Sequence, residues 1–124
     1  MSSQAAAGAT TLTAADFGKL VDGAVATGRK VIERLLYLDN LDVFVLQSGP
    51  IALLIERAFI NEFKGLSTRK MKNVRLSPAG TTIELEKYDI YIEAAGLVTD
   101  YINHIRKEGS GGFILNLLDV HSSR

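Results

Sequence analysis

The feature that most constrains this chain is a pair of short alternating runs on either side of a tight turn. Apolar residues alternate with polar ones across 74–77, and the same alternation returns across 82–86. A period of two is typical of half-buried strands. Pro78 followed by Gly80 suits a turn whose later position needs a left-handed backbone. The sequence therefore predicts a β-hairpin, which commits part of the fold to antiparallel sheet.

Three other segments show the apolar spacing of three and four residues that is typical of amphipathic helices. They cover residues 14–38, 50–64 and 89–107. Thr13 and Asp16 are spaced as in a capping box, so the first helix is predicted to begin at this point. Residues 89–93 also alternate with a period of two, so the start of the third helix stays open to an extended interpretation.

The length of 124 residues fits one domain, and Val43, Phe44 and Val45 favour a strand over 43–47. The predicted fold class is α+β, with three amphipathic helices packed on a small antiparallel sheet. The hairpin builds that sheet, with 43–47 and 113–118 as further strands. The alternative is an all-α bundle from which the hairpin projects. Small polar residues predict a disordered tail over 1–12, followed by a single domain over 13–124.

An apolar C-terminal segment, 113–120, hangs on the glycine-rich tether at 109–112. Burial of each large apolar side chain is worth about 1.5 to 3 kcal/mol, so the segment needs a surface to pack on. The tether permits packing on its own domain or on a neighbouring subunit. The candidate interaction residues are Phe113, Ile114, Leu115, Leu117 and Leu118.

A basic cluster occupies residues 64–75, where five cationic side chains occur without an acid between them. Such a cluster can bind phosphate groups. The competing interpretation pairs these charges with the hairpin acids Glu84 and Glu86 across the turn. Arg75 is the residue expected beside those acids. The candidate anion-binding residues are therefore the three upstream cations, Arg69, Lys70 and Lys72.

Composition argues against several classes of function. The 14 basic and 14 acidic residues give a net charge of zero, whereas a dedicated nucleic-acid binder usually has a basic excess. There is no cysteine, and His104 and His121 do not have the spacing of a metal-ligand pair. We predict no metal, no cofactor and no catalytic residues. The sequence therefore argues against an enzyme without excluding one. It lacks a secretory signal and the roughly 20 apolar residues of a membrane span, so a cytoplasmic location is expected.

These observations favour a small non-enzymatic interaction or oligomerisation module. Self-association as a dimer is expected through apolar helix faces and the 113–120 segment. Binding to a different protein is the alternative that the sequence leaves open. The alternative function is binding of a phosphate-bearing ligand, nucleotide or nucleic acid through the 64–75 cluster.

Overall fold

The first helix, α1, begins and ends on two capping signals. In the computed structural model, which describes residues 13–108 and 113–116, α1 spans Ala14–Thr27. The predicted capping box is confirmed, since the Asp16 backbone N–H donates to Thr13 Oγ1 and the Thr13 N–H donates to Asp16 Oδ2 at 2.8 Å. Gly28 then adopts a left-handed φ of 72° and closes the helix. The prediction of one helix over 14–38 is therefore wrong beyond Thr27.

A four-stranded antiparallel sheet follows α1. Its strands are β1 (Arg34–Leu38), β2 (Val43–Ser48), β3 (Ile51–Glu56) and, from the end of the chain, β7 (Phe113–Asn116). They lie in the order β1-β2-β3-β7, so the C-terminal strand pairs with β3. The predicted strand at 43–47 is confirmed, and so is a further strand within 113–118.

The predicted helix over 50–64 is wrong. Its first part is β3, and its second part consists of two single 3₁₀ turns, Arg57–Phe59 and Asn61–Phe63. The residues Gly49-Pro50 form a two-residue hairpin loop, with Gly49 at a φ of 57°. A glycine at the first position of such a loop is a hairpin signal. The Gly-Pro pair therefore ends one strand and starts another instead of starting a helix.

The second sheet contains the hairpin that the sequence predicts. Its strands are β4 (Arg75–Leu76), β5 (Thr82–Leu85) and β6 (Ile90–Glu93), in the order β4-β5-β6. A short helix, α2 (Thr68–Met71), precedes it, and α3 (Ala94–Glu108) follows. The predicted helix start near residue 89 is wrong, since Asp89 takes a left-handed φ of 56° and α3 begins at Ala94. The extended interpretation of 89–93, which the sequence leaves open, is confirmed by β6.

The core lies between the helices and the inner faces of both sheets. Helices α1 and α3 pack on each other, and their apolar faces are buried within the chain. The two sheets are joined by backbone hydrogen bonds from Val31 to Ala79 and from Ile32 to Gly80, each 3.0 Å long. The α+β fold class is confirmed, and the all-α alternative is wrong. The predicted N-terminal tail, 1–12, lies outside the described residues.

Candidate functional site

The four-stranded sheet has one face inside the core and one face outside it, which we call the open face. Side chains of paired residues lie on the same side of an antiparallel sheet. The strand register therefore sorts the residues into two sets. One set belongs to the core or packs against it: Leu35, Tyr37, Phe44, Leu46, Leu53, Ile55 and Ile114. The alternate positions of the same strands form the open face.

The open face is apolar across its first three strands. Leu36 is 48% exposed, and Val45 and Leu54 beside it are half-buried. Among the residues that the structure describes, these three stand outside the core cluster and outside the set packed against it. The register places six apolar residues of β1, β2 and β3 on this side of the sheet: Leu36, Leu38, Val43, Val45, Ala52 and Leu54. Ala52 is the buried member of this set, at 2% exposure.

The C-terminal candidate residues continue this sheet. In the register of β7 with β3, Phe113 pairs with Leu54, Ile114 with Leu53 and Leu115 with Ala52. Ile114 packs against the core. Packing of 113–116 on its own chain is thus the arrangement that the structure shows. Leu117 and Leu118 lie outside the described residues.

The basic candidate residues sit on and just after α2, and two of them have partners within the chain. Lys72 Nζ lies 3.1 Å from Asp39 Oδ2, and this contact lowers the pKa of the Asp39 carboxyl. Lys70 Nζ lies 4.8 Å from the centre of the Tyr88 ring, a cation–π contact. Arg69 is exposed. The three cations therefore share a segment of chain, but Lys70 and Lys72 are directed to separate neighbours.

Arg75 lies beside hairpin acids, as the alternation predicts. The register places it opposite Glu84 in the β4–β5 ladder. Both line a depression of about 330 Å³ together with Glu86 and Lys87. The depression carries both signs of charge, so its acids offset the attraction of its cations for a phosphate group.

Sequence reasoning missed a polar network at the end of the β1–β2 hairpin. The Arg57 guanidinium donates to both carboxylate oxygens of Asp42, at 3.2 and 3.1 Å, and to the Leu66 carbonyl at 3.1 Å. The Tyr37 hydroxyl donates to Asp42 Oδ1 at 2.5 Å. That hydrogen bond and the guanidinium lower the Asp42 pKa, while burial and the Asp42 carboxylate raise the Tyr37 pKa to about 12. The network fixes the turn to the end of β3.

A second missed cluster joins β3 to α3. The Tyr101 hydroxyl donates to Glu56 Oε2 at 2.5 Å, and burial, followed by the Glu56 carboxylate, raises the Tyr101 pKa. The Phe59 ring packs against Tyr101, with 5.0 Å between centroids, and against His104, with 4.9 Å. His104 thus has an aromatic neighbour. The apolar spacing of 89–107 pointed to Tyr101 as a core residue but gave no sign of its acidic partner.

No protein-family model, no curated protein and no solved structure matches this chain. Within residues 13–108 and 113–116, no helix is long and apolar enough to cross a membrane. In the same part of the chain, no group of three or more histidine, aspartate or glutamate side chains could hold a metal ion.

Proposed function

We propose that this protein is a non-enzymatic interaction module that self-associates as a dimer through the open face. The observation that carries the proposal is the row Leu36–Val45–Leu54, which crosses three neighbouring strands and lies outside the core. Contiguous exposed apolar patches on a folded domain commonly mark interaction sites.

A second copy of the chain is the partner that suits this surface. The polar open-face positions on β1, β2 and β3 lie in the outer rows, at Arg34, Gln47 and Glu56, and the middle row is apolar. An isologous contact sets the same apolar row against its own copy. The net charge of zero means that two copies do not repel each other. The apolar faces of α1 and α3 are buried inside the chain, so the sheet offers the contact that the sequence assigned to helices.

The size of the face sets the expected strength of the dimer. Four strands spaced about 4.8 Å apart, with about five residues of 3.4 Å each, cover about 19 Å by 17 Å. With the relief of the side chains, two such faces bury on the order of 1,000 Å² in total, near the lower limit of specific interfaces. We therefore expect a reversible dimer whose population depends on protein concentration.

The test compares two matched lysine substitutions by light scattering over a concentration series. Leu36→Lys places a charge on the open face, and Val25→Lys places one on α1 at a similar exposure, 48% against 54%. Lysine is tolerated on an edge strand and at a helix C-terminus, so both variants should fold. We expect Leu36→Lys to weaken the dimer at least tenfold and Val25→Lys to leave it unchanged. A wild-type chain that stays monomeric, or an equal loss in both variants, contradicts the proposal.

A second candidate function is binding of a phosphate-bearing ligand by Arg69, Lys70 and Lys72. The exposure of Arg69 beside two further cations favours it, whereas the contacts of Lys70 and Lys72 oppose it. Its test is binding to a single-stranded oligonucleotide at low salt. Binding that weakens with salt and is lost when all three become alanine supports this function, and an absence of binding excludes it.

A further inference from the structure

The part of the open face formed by β1, β2 and β3 has its geometric centre at Val45. The registers of β1, β2 and β3 align its positions in three rows: Arg34–Gln47–Ala52, Leu36–Val45–Leu54 and Leu38–Val43–Glu56. Val45 is the middle position of the middle row. Arg34 and Glu56 are at diagonally opposite corners, each one strand across and two residues along from Val45.

These two corners carry opposite charges that are available for a contact. Both residues are exposed. Glu56 uses Oε2 to accept the Tyr101 hydroxyl, which leaves Oε1 for another donor. The ion pairs among the described residues are Arg57–Asp42 and Lys72–Asp39, so Arg34 takes part in neither.

We infer that the two-fold axis of the dimer passes through Val45 and sets each Arg34 against the partner's Glu56. This inference rests on the proposed self-association and adds its geometry. An axis through the centre of the patch superposes the two apolar surfaces and makes two identical charge pairs at their rim. Complementary rim charges of this kind fix the orientation of a weak interface more than they raise its affinity.

The placement of the charges also fixes the direction of the axis. For strands about 4.8 Å apart and residues about 3.4 Å apart, superposing the two corners makes the strands of the two sheets cross at about 70°. This crossing is close to the orthogonal class of sheet packing, in which the layers lie about 10 Å apart. Val45 then faces its own copy, whereas Leu36 lies displaced sideways from its copy by about 5 Å.

Single-cysteine variants test this geometry cleanly, because the natural chain has no cysteine. We propose to treat Val45→Cys, Leu36→Cys and Val25→Cys with a short bifunctional thiol reagent at a concentration where the chain is dimeric. We expect the largest dimer yield at Val45, a smaller yield at Leu36 and only the collisional background at Val25. Equal yields in all three variants, or a larger yield at Leu36 than at Val45, overturn the geometry.

Exchange of the corner charges provides a second test, which leaves Val45 at the centre of the face unchanged. Arg34→Glu and Glu56→Lys each create two repulsive pairs in their own homodimers, so each should weaken association several-fold at low salt. Mixed together, they should form a heterodimer in which both pairs are again opposite in charge. Glu56→Lys also removes the acceptor of the Tyr101 hydroxyl, so circular dichroism first establishes that this variant is folded. If it is, a mixture that associates no better than either variant alone contradicts the pairing of Arg34 with the partner's Glu56.

The two proposals fail in different ways. If scattering shows a dimer but the cross-linking order or the charge exchange fails, the axis is wrong and self-association stands. If the full chain is monomeric, both fail. A chain ending at Asn116 completes the experiment: dimerisation equal to that of the full chain supports a second copy as occupant. A dimer formed only by the shortened chain means that residues after Asn116 cover the face, and it overturns the inference for the 124-residue chain.

Discussion

The two faces of the four-stranded sheet are made of similar residues but differ in what they contact. Leu53 and Leu54 are neighbours in β3, yet Leu53 is fully buried in the core and Leu54 is a half-buried residue of the open face. An antiparallel sheet with one solvated face usually alternates apolar and polar residues. In this sheet the second face is apolar as well. Packing among the described residues accounts for the first face but not for Leu36, Val45 and Leu54 on the second, which is why we propose that the second face serves association.

The largest expected effect separates these two leucines directly. Leu53→Ala should lower the free energy of unfolding by about 3 kcal/mol, because it leaves a cavity in a closed core. Leu54→Ala should lower it by about 1 kcal/mol or less, since a half-buried site loses less contact and keeps access to water. Urea denaturation of both variants measures the difference, at a protein concentration too low for the dimer to form. Equal losses would mean that the open face is as closed as the core.

The same two-sided apolar character explains where sequence reasoning failed on the fold. The run 51–56 has apolar residues on both faces, so it lacks the alternation that identified the hairpin at 74–86. A continuous apolar run fits a buried helix and a buried strand equally well. The helix-like spacing of 57–63 then favoured the helix, which is how the wrong prediction over 50–64 arose. The hairpin and the cap at Thr13 were predictable because each depends on residues a few positions apart.

The candidate surface was less predictable than the fold class, because it depends on register. Arg34 and Glu56 become corners of one face only through two ladders that join three strands. The contact of Lys72 with Asp39 likewise links segments that are far apart along the chain. Composition and local spacing contain no information about such pairs. The C-terminal segment was an exception, because its length and apolarity indicated a strand or helix that needed a surface.

The next effect compares an alanine substitution at the packed junction of the two sheets with one at the exposed end of α1. Gly80 and Gly28 have nearly the same left-handed φ, 71° and 72°. A Cβ at Gly80 would lie 2.2 Å from the Ile32 carbonyl oxygen. A Cβ at Gly28 would have none of the described atoms within 4 Å apart from those of its neighbours along the chain. Gly28→Ala should therefore cost about 1 kcal/mol for the backbone conformation alone. Gly80→Ala should cost roughly 2 to 3 kcal/mol, because the junction of the two sheets must also move.

Thermal unfolding of the two glycine variants separates the cost of a left-handed alanine backbone from the cost of the steric contact with Ile32. The backbone conformation is common to both, so the difference in their free energies of unfolding reports the contact with Ile32 alone. Equal costs would show that the junction of the sheets yields easily. The core side would then be no more rigid than the chain at Gly28.

The smallest effect concerns the polar edge of the core face at alkaline pH. Burial, followed by the Asp42 carboxylate, raises the pKa of Tyr37 to about 12, whereas a tyrosine in the unfolded chain titrates near 10. The folded state therefore holds this proton more tightly. The resulting stabilisation is complete below pH 10 and is lost as the pH rises through about 12. The slope of stability against pH between 10 and 12 should therefore be smaller in Tyr37→Phe than in the natural chain.

Tyr101 also has a raised pKa, so part of the slope should persist in Tyr37→Phe and fall further when Tyr101→Phe is added. Leu36→Ala is the matched control, because it alters the neighbouring residue on the open face and removes no titrating group. Urea midpoints at several pH values from 9 to 12 measure the slopes. An unchanged slope in Tyr37→Phe would mean that its hydroxyl titrates like that of an unfolded chain. The Tyr37–Asp42 hydrogen bond would then contribute nothing to the closure of the core face, and the two faces of β1 would differ in apolar packing alone.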